Sequence, residues 1–191
     1  MSRDQWRERA LNVLVTGGSG YIGSHTCVQL LQAGHNVTVF DNLCNSSPIA
    51  IARVREIAGR ELHFVQGDIR DTDALRDALR EAQAQAVIHF AGLKAVGESS
   101  QRPVDYYDNN VGGTISLLKA MQEQGVWRLV FSSSATVYGE PQSLPLDESH
   151  PLSATNPYGR SKLMIEDMLR DVAGSDAQWR VALLRYFNPV G

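Results

Sequence analysis

Short apolar segments rich in β-branched residues alternate along the chain with longer segments whose apolar residues recur at helical spacing. This alternation predicts buried strands separated by amphipathic helices. Six strands are predicted, at residues 13–16, 37–40, 62–65, 86–90, 128–131 and 181–184. One helix is predicted from about residue 22, and others at 48–59, 73–81, 103–125 and 157–172. Pro48, Pro103 and Pro157 suit the first turns of three of them, and Thr72 suits the cap of another.

Strands that alternate with helices form parallel sheets, because each parallel crossover needs a connection of helix length. The predicted fold is therefore α/β: a doubly wound parallel sheet of the Rossmann type, with helices on both faces. A chain of 191 residues is long enough to form one such domain with a substantial core. In these sheets ligands bind beyond the carboxyl ends of the strands, where the polar side chains of this sequence gather.

A glycine-rich turn directly follows the first predicted strand. Gly18, Gly20 and Gly23 satisfy the pattern G-x-G-x-x-G, and Gly17, Gly20 and Gly23 satisfy G-x-x-G-x-x-G. Glycines at these positions let the backbone approach a pyrophosphate, and the following helix presents free N–H groups and a positive dipole end. An ordinary strand-to-helix turn would use similar residues, so the interpretation as a dinucleotide site depends on the next strand.

Asp41 ends the second predicted strand. A carboxylate at this position is expected to bind the hydroxyl groups of an adenosine ribose. No Arg or Lys follows it before Arg53, so a 2′-phosphate would find no basic partner nearby. We therefore predict that the cofactor is NAD and not NADP.

Composition excludes several classes of function. Hydrophobic residues make up 43% and charged residues 20% of the chain, and a net charge of −3 gives no reason to expect binding to nucleic acid or to a membrane. No apolar segment reaches transmembrane length, and residues 1–10 are expected to be a loose polar extension and not a secretory signal. Two cysteines, Cys27 and Cys44, make neither a disulfide framework nor a metal site, so a cytoplasmic location is expected.

Tyr158 and Lys162 are four residues apart in the last predicted helix, which places both side chains on one face. A tyrosine hydroxyl ordinarily has a pKa of about 10, and a neighbouring ammonium, helped by the positive nicotinamide ring, lowers it by favouring the phenolate. Tyr158 is therefore a candidate base for a substrate hydroxyl. Among the three serines that end the fifth strand, Ser134 is the candidate for binding the same oxygen and passing on its proton. The same spacing also occurs in helices with an exposed, inactive pair.

Eight motifs extend these observations over the chain from about residue 12 to the end: Thr16-Gly-Gly-Ser-Gly-Tyr-Ile-Gly-Ser-His25, Asp41-Asn-Leu-Cys-Asn45, Gly67-Asp-Ile-Arg70, His89-Phe-Ala-Gly-Leu-Lys-Ala-Val-Gly-Glu98, Tyr106-Tyr-Asp-Asn-Asn-Val111, Phe131-Ser-Ser-Ser-Ala-Thr-Val-Tyr-Gly139, Pro157-Tyr-Gly-Arg-Ser-Lys162 and Leu184-Arg-Tyr-Phe-Asn-Pro-Val-Gly191. With them the chain resembles the extended short-chain dehydrogenase/reductases, and in particular the 4-epimerases of UDP-galactose and UDP-glucose.

The resemblance implies that NAD stays bound, takes a hydride from C4 of a UDP-sugar and returns it to the other face of the rotated 4-keto sugar. Tyr158 is then the base, Lys162 lowers its pKa and holds the nicotinamide ribose, and Ser134 contacts the sugar 4-hydroxyl. The implied NAD-binding residues are Gly17, Gly20, Tyr21, Ile22, Gly23, Asp41, Asn42, Leu43, Cys44, Asn45, Ser46, Asp68, Ile69, Phe90, Ala91, Gly92, Leu93, Lys94, Asn109, Ser134, Tyr158, Lys162 and Phe187. The implied substrate-binding residues are Lys94, Ser134, Tyr158 and Asn188.

The residue types alone leave other roles open for several of these positions. Asp68 could cap a turn, Lys94 could be a solvated loop lysine, and Asn109 could be a polar helix residue. Ser132 and Ser133 could serve only the backbone groups at the end of their strand.

Two alternative functions also stay open. A nucleotide-sugar 4,6-dehydratase would carry an acidic residue soon after Ser134, where this chain has Ala135-Thr-Val137, so epimerisation is favoured. A non-catalytic NAD-binding module would bind NAD and ignore a UDP-sugar. The resemblance is also compatible with a homodimer that forms through outward-facing helices of segment 104–124.

The chain departs from the family pattern in two places. Ser47-Pro48 stands where basic residues are expected on the adenosine side. The family also continues past Asn188-Pro-Val-Gly191 with a smaller domain that binds the UDP-sugar. We therefore expect residues 1–191 to form the NAD-binding Rossmann domain without the substrate domain, and we do not expect this portion alone to turn over a UDP-sugar.

Overall fold

A single sheet of parallel strands forms the centre of the molecule. The computed structural model of the chain describes residues 10–189, so most of the predicted extension 1–10 and the end of the last motif lie outside the described residues. The strands are β1 (Asn12–Thr16), β2 (Asn36–Asp41), β3 (His63–Gln66), β4 (Ala86–His89), β5 (Arg128–Ser134) and β6 (Arg180–Tyr186). Their order across the sheet is β3-β2-β1-β4-β5-β6, with every neighbouring pair parallel. The predicted doubly wound α/β fold is confirmed.

Helices connect the strands and cover both faces of the sheet. They are α1 (Tyr21–Gln32), α2 (Pro48–Ala58), α3 (Thr72–Glu81), α4 (Val96–Gln101), α5 (Pro103–Tyr106), α6 (Gly113–Glu123) and α7 (Pro157–Ser175). A π-helical segment (Tyr107–Gly112, the π segment) joins α5 to α6, and a 3₁₀ turn (Ala135–Tyr138) follows β5. Proline occupies the first turn of α2, α5 and α7, as predicted.

The structure corrects two details of the predicted helices. Asp71 and not Thr72 caps α3, because its carboxylate accepts a hydrogen bond from the backbone N–H of Ala74, and Thr72 is already helical. The helix predicted at 103–125 is interrupted by the π segment, and the short helix α4 precedes it. A π segment has i→i+5 hydrogen bonds and is rare, so a prediction that assumes the 3.6-residue period of an α-helix does not anticipate it.

Alternate residues of the strands pack into two separate layers of core. Val13 and Val15 of β1 pack with residues of α1 and α2 on one face, and Leu14 packs with α3, α6 and α7 on the other. Successive side chains of a strand point to opposite faces, and helices on both sides account for the nearly continuous apolar sequence of the central strands. In residues 10–189, no helix combines the length and the apolar character that crossing a membrane requires.

Candidate functional site

A cavity of about 280 Å³ lies at the carboxyl ends of the strands, where the strand order reverses between β1 and β4. This is the position at which doubly wound sheets bind ligands. Its walls are formed by Gly17, Gly20, Tyr21, Ile22, Gly23, Asp41, Asn42, Cys44, Asn45, Ser46, Gly67, Ile69, Phe90, Ala91, Gly92, Leu93, Lys94, Asn109, Ser132, Ser133, Ser134, Tyr158 and Lys162.

The glycines of the first turn carry no side chains, and this lets the turn pack closely against β2 and the loop after β4. Gly17 has φ +69°, and a Cβ built on it would lie 2.5 Å from the backbone nitrogen of Ala91. A Cβ on Gly18 would lie 2.7 Å from a methyl carbon of Val39. A Cβ on Gly20 would meet only the carbonyl of Gly17, at 3.3 Å, because Gly20 faces the cavity. The turn is therefore closed toward the protein and open toward the cavity.

The N-terminus of α1 faces the cavity without a side-chain cap in the described part of the chain. Gly20 is the N-cap residue, and no acidic residue lies in the first turn. By contrast, Ser47 caps α2 and Asn156 caps α7. The first backbone N–H groups of α1, at Tyr21 and Ile22, can therefore serve an anion in the cavity, where the dipole of the helix adds to their attraction.

Gly17→Ala should destabilise the chain more than a glycine substitution with the same backbone geometry elsewhere. An L-residue at positive φ costs about 1–2 kcal/mol, and at Gly17 the clash with Ala91 adds to that cost. Gly59→Ala is the matched control, because Gly59 has φ +62° but nothing within 4 Å of the added Cβ. Urea unfolding of both variants measures the difference, and equal losses would contradict the proposed close approach.

The Asp41 carboxylate is held by the loops on either side of it. Its Oδ2 accepts a hydrogen bond of 3.0 Å from the backbone N–H of Ser19 in the glycine turn. Its Oδ1 accepts hydrogen bonds from the backbone N–H of Leu43 at 2.8 Å and from the hydroxyl of Ser46 at 3.2 Å. Asp41 is buried and lines the cavity. The carboxylate therefore fixes the loop after β2 against the glycine turn in addition to presenting its charge to the site.

Asn110 in the π segment holds two walls of the cavity together. Its side chain is 1% exposed. It accepts a hydrogen bond of 2.8 Å from the backbone N–H of Leu93, and it donates to the carbonyl of Leu93 at 3.0 Å and to the hydroxyl of Ser161 at 3.1 Å. The amide therefore ties the loop after β4 to α7, one residue before Lys162.

A second buried chain of hydrogen bonds joins the π segment to the sheet through His89. The hydroxyl of Thr114 donates to the carbonyl of Asn110 at 2.6 Å, so it accepts from Nε2–H of His89 at 3.1 Å. The hydroxyl of Thr16 then donates to Nδ1 of His89 at 2.6 Å. Burial, with the nearby charge of Lys162, lowers the pKa of His89 to about 3, so the ring stays neutral in this arrangement.

Tyr158, Ser134 and Lys162 meet at one end of the cavity. Lys162 is 5% exposed, and its ammonium donates to the carbonyl of Ser132 at 2.9 Å and lies 4.8 Å from the centre of the Phe131 ring. Tyr158 stands one turn before Lys162 on α7 and lines the cavity with Ser134, whose side chain acts to lower the pKa of the phenol. The three residues that the sequence suggested for proton transfer therefore line the same cavity.

The pKa of Tyr158 differs from the expectation that Lys162 would lower it. Burial raises the pKa of Tyr158, and the Ser134 side chain offsets only part of that rise. The Lys162 ammonium donates to the carbonyl of Ser132 and does not reverse it. Burial in turn lowers the pKa of Lys162 to about 8. The protein alone therefore holds Tyr158 in its neutral form at pH 7.

Lys162→Met should stabilise the chain at pH 7. A pKa lowered from 10.5 to about 8 corresponds to a folding cost of about 3 kcal/mol for the charged form, and loss of the bond to Ser132 reduces the expected net gain to about 1–2 kcal/mol. The gain in unfolding free energy should be full below pH 8. It should disappear as the pH rises through 10.5, because the wild-type lysine becomes neutral in both the folded and the unfolded state. Urea unfolding at several pH values measures it.

Lys119→Met is the control for this comparison, because Lys119 is an exposed lysine of α6. Its substitution should change the free energy of unfolding by less than about 0.5 kcal/mol, with no trend over the same pH range. A loss of stability in Lys162→Met at every pH would contradict the burial cost assigned to the ammonium.

Glu166 joins α7 to the ends of β5 and β6 through hydrogen bonds and an ion pair. Its carboxylate is fully buried and accepts a hydrogen bond of 2.5 Å from the hydroxyl of Ser133. Arg185 donates to it at 2.7 Å and 3.0 Å, and Arg170 donates at 2.8 Å. Burial raises the pKa of Glu166, but hydrogen bonds from Arg185 and Ser133 outweigh it and hold the pKa below its usual value. Arg185 also donates to the hydroxyl of Tyr138.

Four of the predicted site residues lie outside the cavity wall: Leu43, Asp68, Phe187 and Asn188. Asp68 lies behind it, where its carboxylate accepts hydrogen bonds from Asn42 and Arg70. The hydrogen bond from Arg70 holds the pKa of Asp68 well below its usual range. Phe187 is exposed and stacks on Tyr138 with ring centres 6.5 Å apart. The binding roles of all predicted residues stay predictions.

Three wall residues were not among the predicted site residues: Gly67, Ser132 and Ser133. The two serines could have been found, because they precede Ser134 in one strand. Glu166 also had a signal, since residues 158, 162 and 166 share one face of a helix.

Over residues 13–191 the sequence matches the NAD dependent epimerase/dehydratase family. Among curated proteins, the UDP-glucose 4-epimerase of Bacillus subtilis (strain 168) is 57% identical over 179 residues, which cover 94% of this chain and 53% of that protein. UDP-glucose 4-epimerase 1 of Oryza sativa subsp. japonica is 60% identical over 182 residues, which cover 94% of this chain and 51% of that protein. The chain therefore spans about half the length of the curated relatives it matches.

Solved structures show the same likeness in three dimensions. A UDP-glucose-4-epimerase from Stenotrophomonas maltophila, crystallised with bound NAD and formylated UDP-arabinopyranose, matches with a TM-score of 0.93 and 51% identity over 95% of this chain and 54% of that chain. A UDP-glucose 4-epimerase from Bifidobacterium longum, in complex with NAD+ and UDP, matches with a TM-score of 0.92 and 52% identity over 94% of this chain and 54% of that chain.

Proposed function

The chain belongs to the NAD dependent epimerase/dehydratase family, and we propose that residues 1–191 are the NAD-binding domain of a UDP-glucose 4-epimerase. One observation carries this proposal. A single cavity combines an uncapped helix N-terminus and a buried carboxylate at one end with Tyr158, Ser134 and Lys162 at the other. Relatives of this name at 57% and 60% identity support the same activity.

The residues around the cavity fit a dinucleotide. Gly20 leaves the space above the glycine turn open, and the N–H groups of Tyr21 and Ile22 would hold the pyrophosphate. Asp41 would bind the adenosine ribose. Gly92, which also lines the cavity, lets the buried amide of Asn110 approach the loop after β4, since a Cβ there would lie 3.2 Å from the Asn110 amide oxygen. NAD, when bound, supplies reversible hydride acceptance and a positive ring next to the catalytic residues.

The chain's own residues would manage the proton. Tyr158 would take the proton of the sugar 4-hydroxyl at its phenol oxygen and return it in the second half of the reaction. Because burial raises the pKa of Tyr158, the positive charge brought by the cofactor is needed to favour the phenolate. Lys162, with its pKa lowered to about 8, would hold the nicotinamide ribose. Ser134 would bind the sugar 4-oxygen from the other side, and Lys94 and Asn188 would contact the UDP-sugar.

The chain should bind NAD more tightly than NADP, and Asp41→Asn should narrow that preference by roughly tenfold. The carboxylate repels a 2′-phosphate, whereas an asparagine still accepts a hydrogen bond from the loop. Calorimetric titration of both cofactors measures the ratio. Asp73→Asn, an exposed site on α3 outside the cavity, should leave the ratio unchanged. If Asp41→Asn keeps the wild-type ratio of NAD to NADP affinity, the role of Asp41 in excluding a 2′-phosphate is wrong.

Turnover tests the proposed function directly. UDP-galactose is incubated with the 191-residue chain and NAD, and formation of UDP-glucose is followed by NMR. Interconversion supports the full proposal, and NAD binding without turnover limits the chain to the cofactor half of the reaction. A 4-keto-6-deoxy product would favour a dehydratase, NAD binding with no affinity for UDP would favour a binding module, and a chain that binds no NAD would overturn the proposal.

A homodimer in the cytoplasm completes the proposal. Val104 of α5 is 76% exposed, and Ile115 of α6 and Met164 of α7 are also exposed. Apolar side chains on neighbouring helices suit contact with a second copy. Light scattering of the purified chain tests the dimer.

A further inference from the structure

Ser134 accepts two hydrogen bonds from the same neighbour, Thr136. Ser134 is the N-cap of the 3₁₀ turn that follows β5, and its Oγ accepts from the backbone N–H of Thr136 at 3.2 Å. The hydroxyl of Thr136 also donates to Ser134 Oγ, at 3.0 Å. A cap needs only the first of these bonds, so capping does not account for the second.

These two bonds limit what the Ser134 hydroxyl can still do. A serine hydroxyl has two acceptor lone pairs and one O–H donor. Thr136 occupies both lone pairs. The O–H is therefore the part of Ser134 left to serve the phenol of Tyr158, whose pKa the Ser134 side chain lowers. A proton arriving from a substrate would find no free lone pair on Ser134 Oγ.

Close packing fixes Thr136 against the helix that carries Tyr158. Gly159 is buried next to Tyr158 in the first turn of α7. A Cβ on Gly159 would lie 2.9 Å from the carbonyl oxygen of Thr136 and 3.3 Å from its hydroxyl oxygen. The absence of a side chain at Gly159 thus lets α7 approach the 3₁₀ turn and leaves room for the Thr136 hydroxyl beside Ser134.

We propose that Thr136 is a positioning residue that holds Ser134 as a donor only, so that the substrate proton passes directly to Tyr158. The inference rests on the proposed function for the identity of the substrate. In this step the O–H bond of the sugar 4-hydroxyl would break and the phenolate oxygen of Tyr158 would gain that proton, while C4 loses its hydrogen as hydride and becomes a carbonyl carbon; NAD, when bound, would supply the hydride acceptor. Ser134 keeps its own proton throughout and stabilises the oxygens beside it.

Titration of Tyr158 in the 191-residue chain tests this arrangement without cofactor or substrate. The chain is labelled with 3-fluorotyrosine, whose phenol is more acidic than that of tyrosine, and the fluorine signal of residue 158 is assigned with Tyr158→Phe. The pKa is then measured in wild type, Thr136→Val, Thr136→Ser, Ser134→Ala and the double variant Ser134→Ala/Thr136→Val. Circular dichroism establishes that each variant is folded, and Thr136→Ala replaces Thr136→Val if the latter does not fold.

Thr136→Val is expected to raise the Tyr158 pKa toward its value in Ser134→Ala, because Ser134 is then free to turn its O–H elsewhere. Thr136→Ser, which keeps the hydroxyl, is expected to titrate like wild type. In the Ser134→Ala background, Thr136→Val is expected to add no shift. A wild-type pKa in Thr136→Val, or an equal shift in the Ser134→Ala background, would overturn the proposal.

The consequence for rate separates this inference from the proposed function. If the wild-type protein interconverts UDP-galactose and UDP-glucose, Thr136→Val is expected to lower kcat by roughly 5–10-fold, the value of one hydrogen bond in the transition state. Thr136→Ser is expected to recover most of that loss. A wild-type chain that binds no NAD would overturn the proposed function alone, because the fluorine titration does not depend on NAD binding or on turnover.

Discussion

Tyr158→Phe is expected to slow the proposed interconversion of UDP-galactose and UDP-glucose by roughly 10²–10⁴-fold wherever the wild-type protein carries it out, which is the usual contribution of a positioned general base. In that proposal the phenol oxygen accepts the substrate proton, and phenylalanine keeps the ring that lines the end of the cavity. Only the interaction of the phenol with the Ser134 side chain is lost, so the free energy of unfolding and the affinity for NAD should change little. Initial rates and calorimetric titration of NAD measure the two effects.

Tyr107→Phe is the matched control, because Tyr107 lies in the π segment and is not part of the cavity wall. Its rate should equal that of wild type. If Tyr158→Phe keeps more than about a tenth of the wild-type rate, another group must take the proton, and the general-base role is wrong.

Glu166→Leu is expected to lower the free energy of unfolding by about 3–5 kcal/mol, because it leaves the largely buried guanidinium of Arg185 without its anion. The same change frees Ser133, next to the carbonyl that receives the Lys162 ammonium. Urea unfolding monitored by circular dichroism gives the loss. The Glu166 carboxylate should also stabilise the fold at pH values above the pKa of the unfolded state. This contribution should be lost as the pH falls through the lower pKa of the folded state.

Two further variants distinguish the effect of leaving Arg185 unpaired from the effect of removing one negative charge. Asp167→Asn is the control, because Asp167 is the next residue of the helix and also pairs with Arg170, but its side chain is 66% exposed. It should cost less than about 0.5 kcal/mol. Glu166→Leu/Arg185→Leu should recover most of the loss, because no unpaired charge is then buried. A loss as small as that of Asp167→Asn would contradict the role given to Glu166.

The order of elements could be predicted because the sequence repeats one simple pattern. β1 and β2 are buried on both faces, and α2 and α7 each begin at a proline that follows a capping side chain, so periodicity and local chemistry agree for these elements. The π segment could not be predicted in this way. The buried amide of Asn110 is satisfied by Leu93 and Ser161, which are 17 and 51 residues away along the chain. Only the folded arrangement shows that these partners exist.

The candidate site shows the same division between local and long-range information. Spacing suffices to place Tyr158 and Lys162 on one face of a helix, and a strand end suffices to place Ser134 nearby. The pKa values depend instead on burial, which spacing does not reveal. Burial raises the pKa of Tyr158, and the ammonium that was expected to lower it is bonded to the carbonyl of Ser132. The second bond from Thr136 to Ser134 likewise follows from packing against Gly159.

The walls of the cavity come from segments spread between residues 17 and 162, and they belong to both layers of the core. A single bound molecule would therefore touch parts of the chain that meet only when the whole sheet has assembled. Ligand binding should accordingly stabilise the folded state as a whole by RT ln(1 + [L]/Kd), and it should protect distant loops from limited proteolysis together. A molecule bound in the cavity would therefore link the two sides of the sheet.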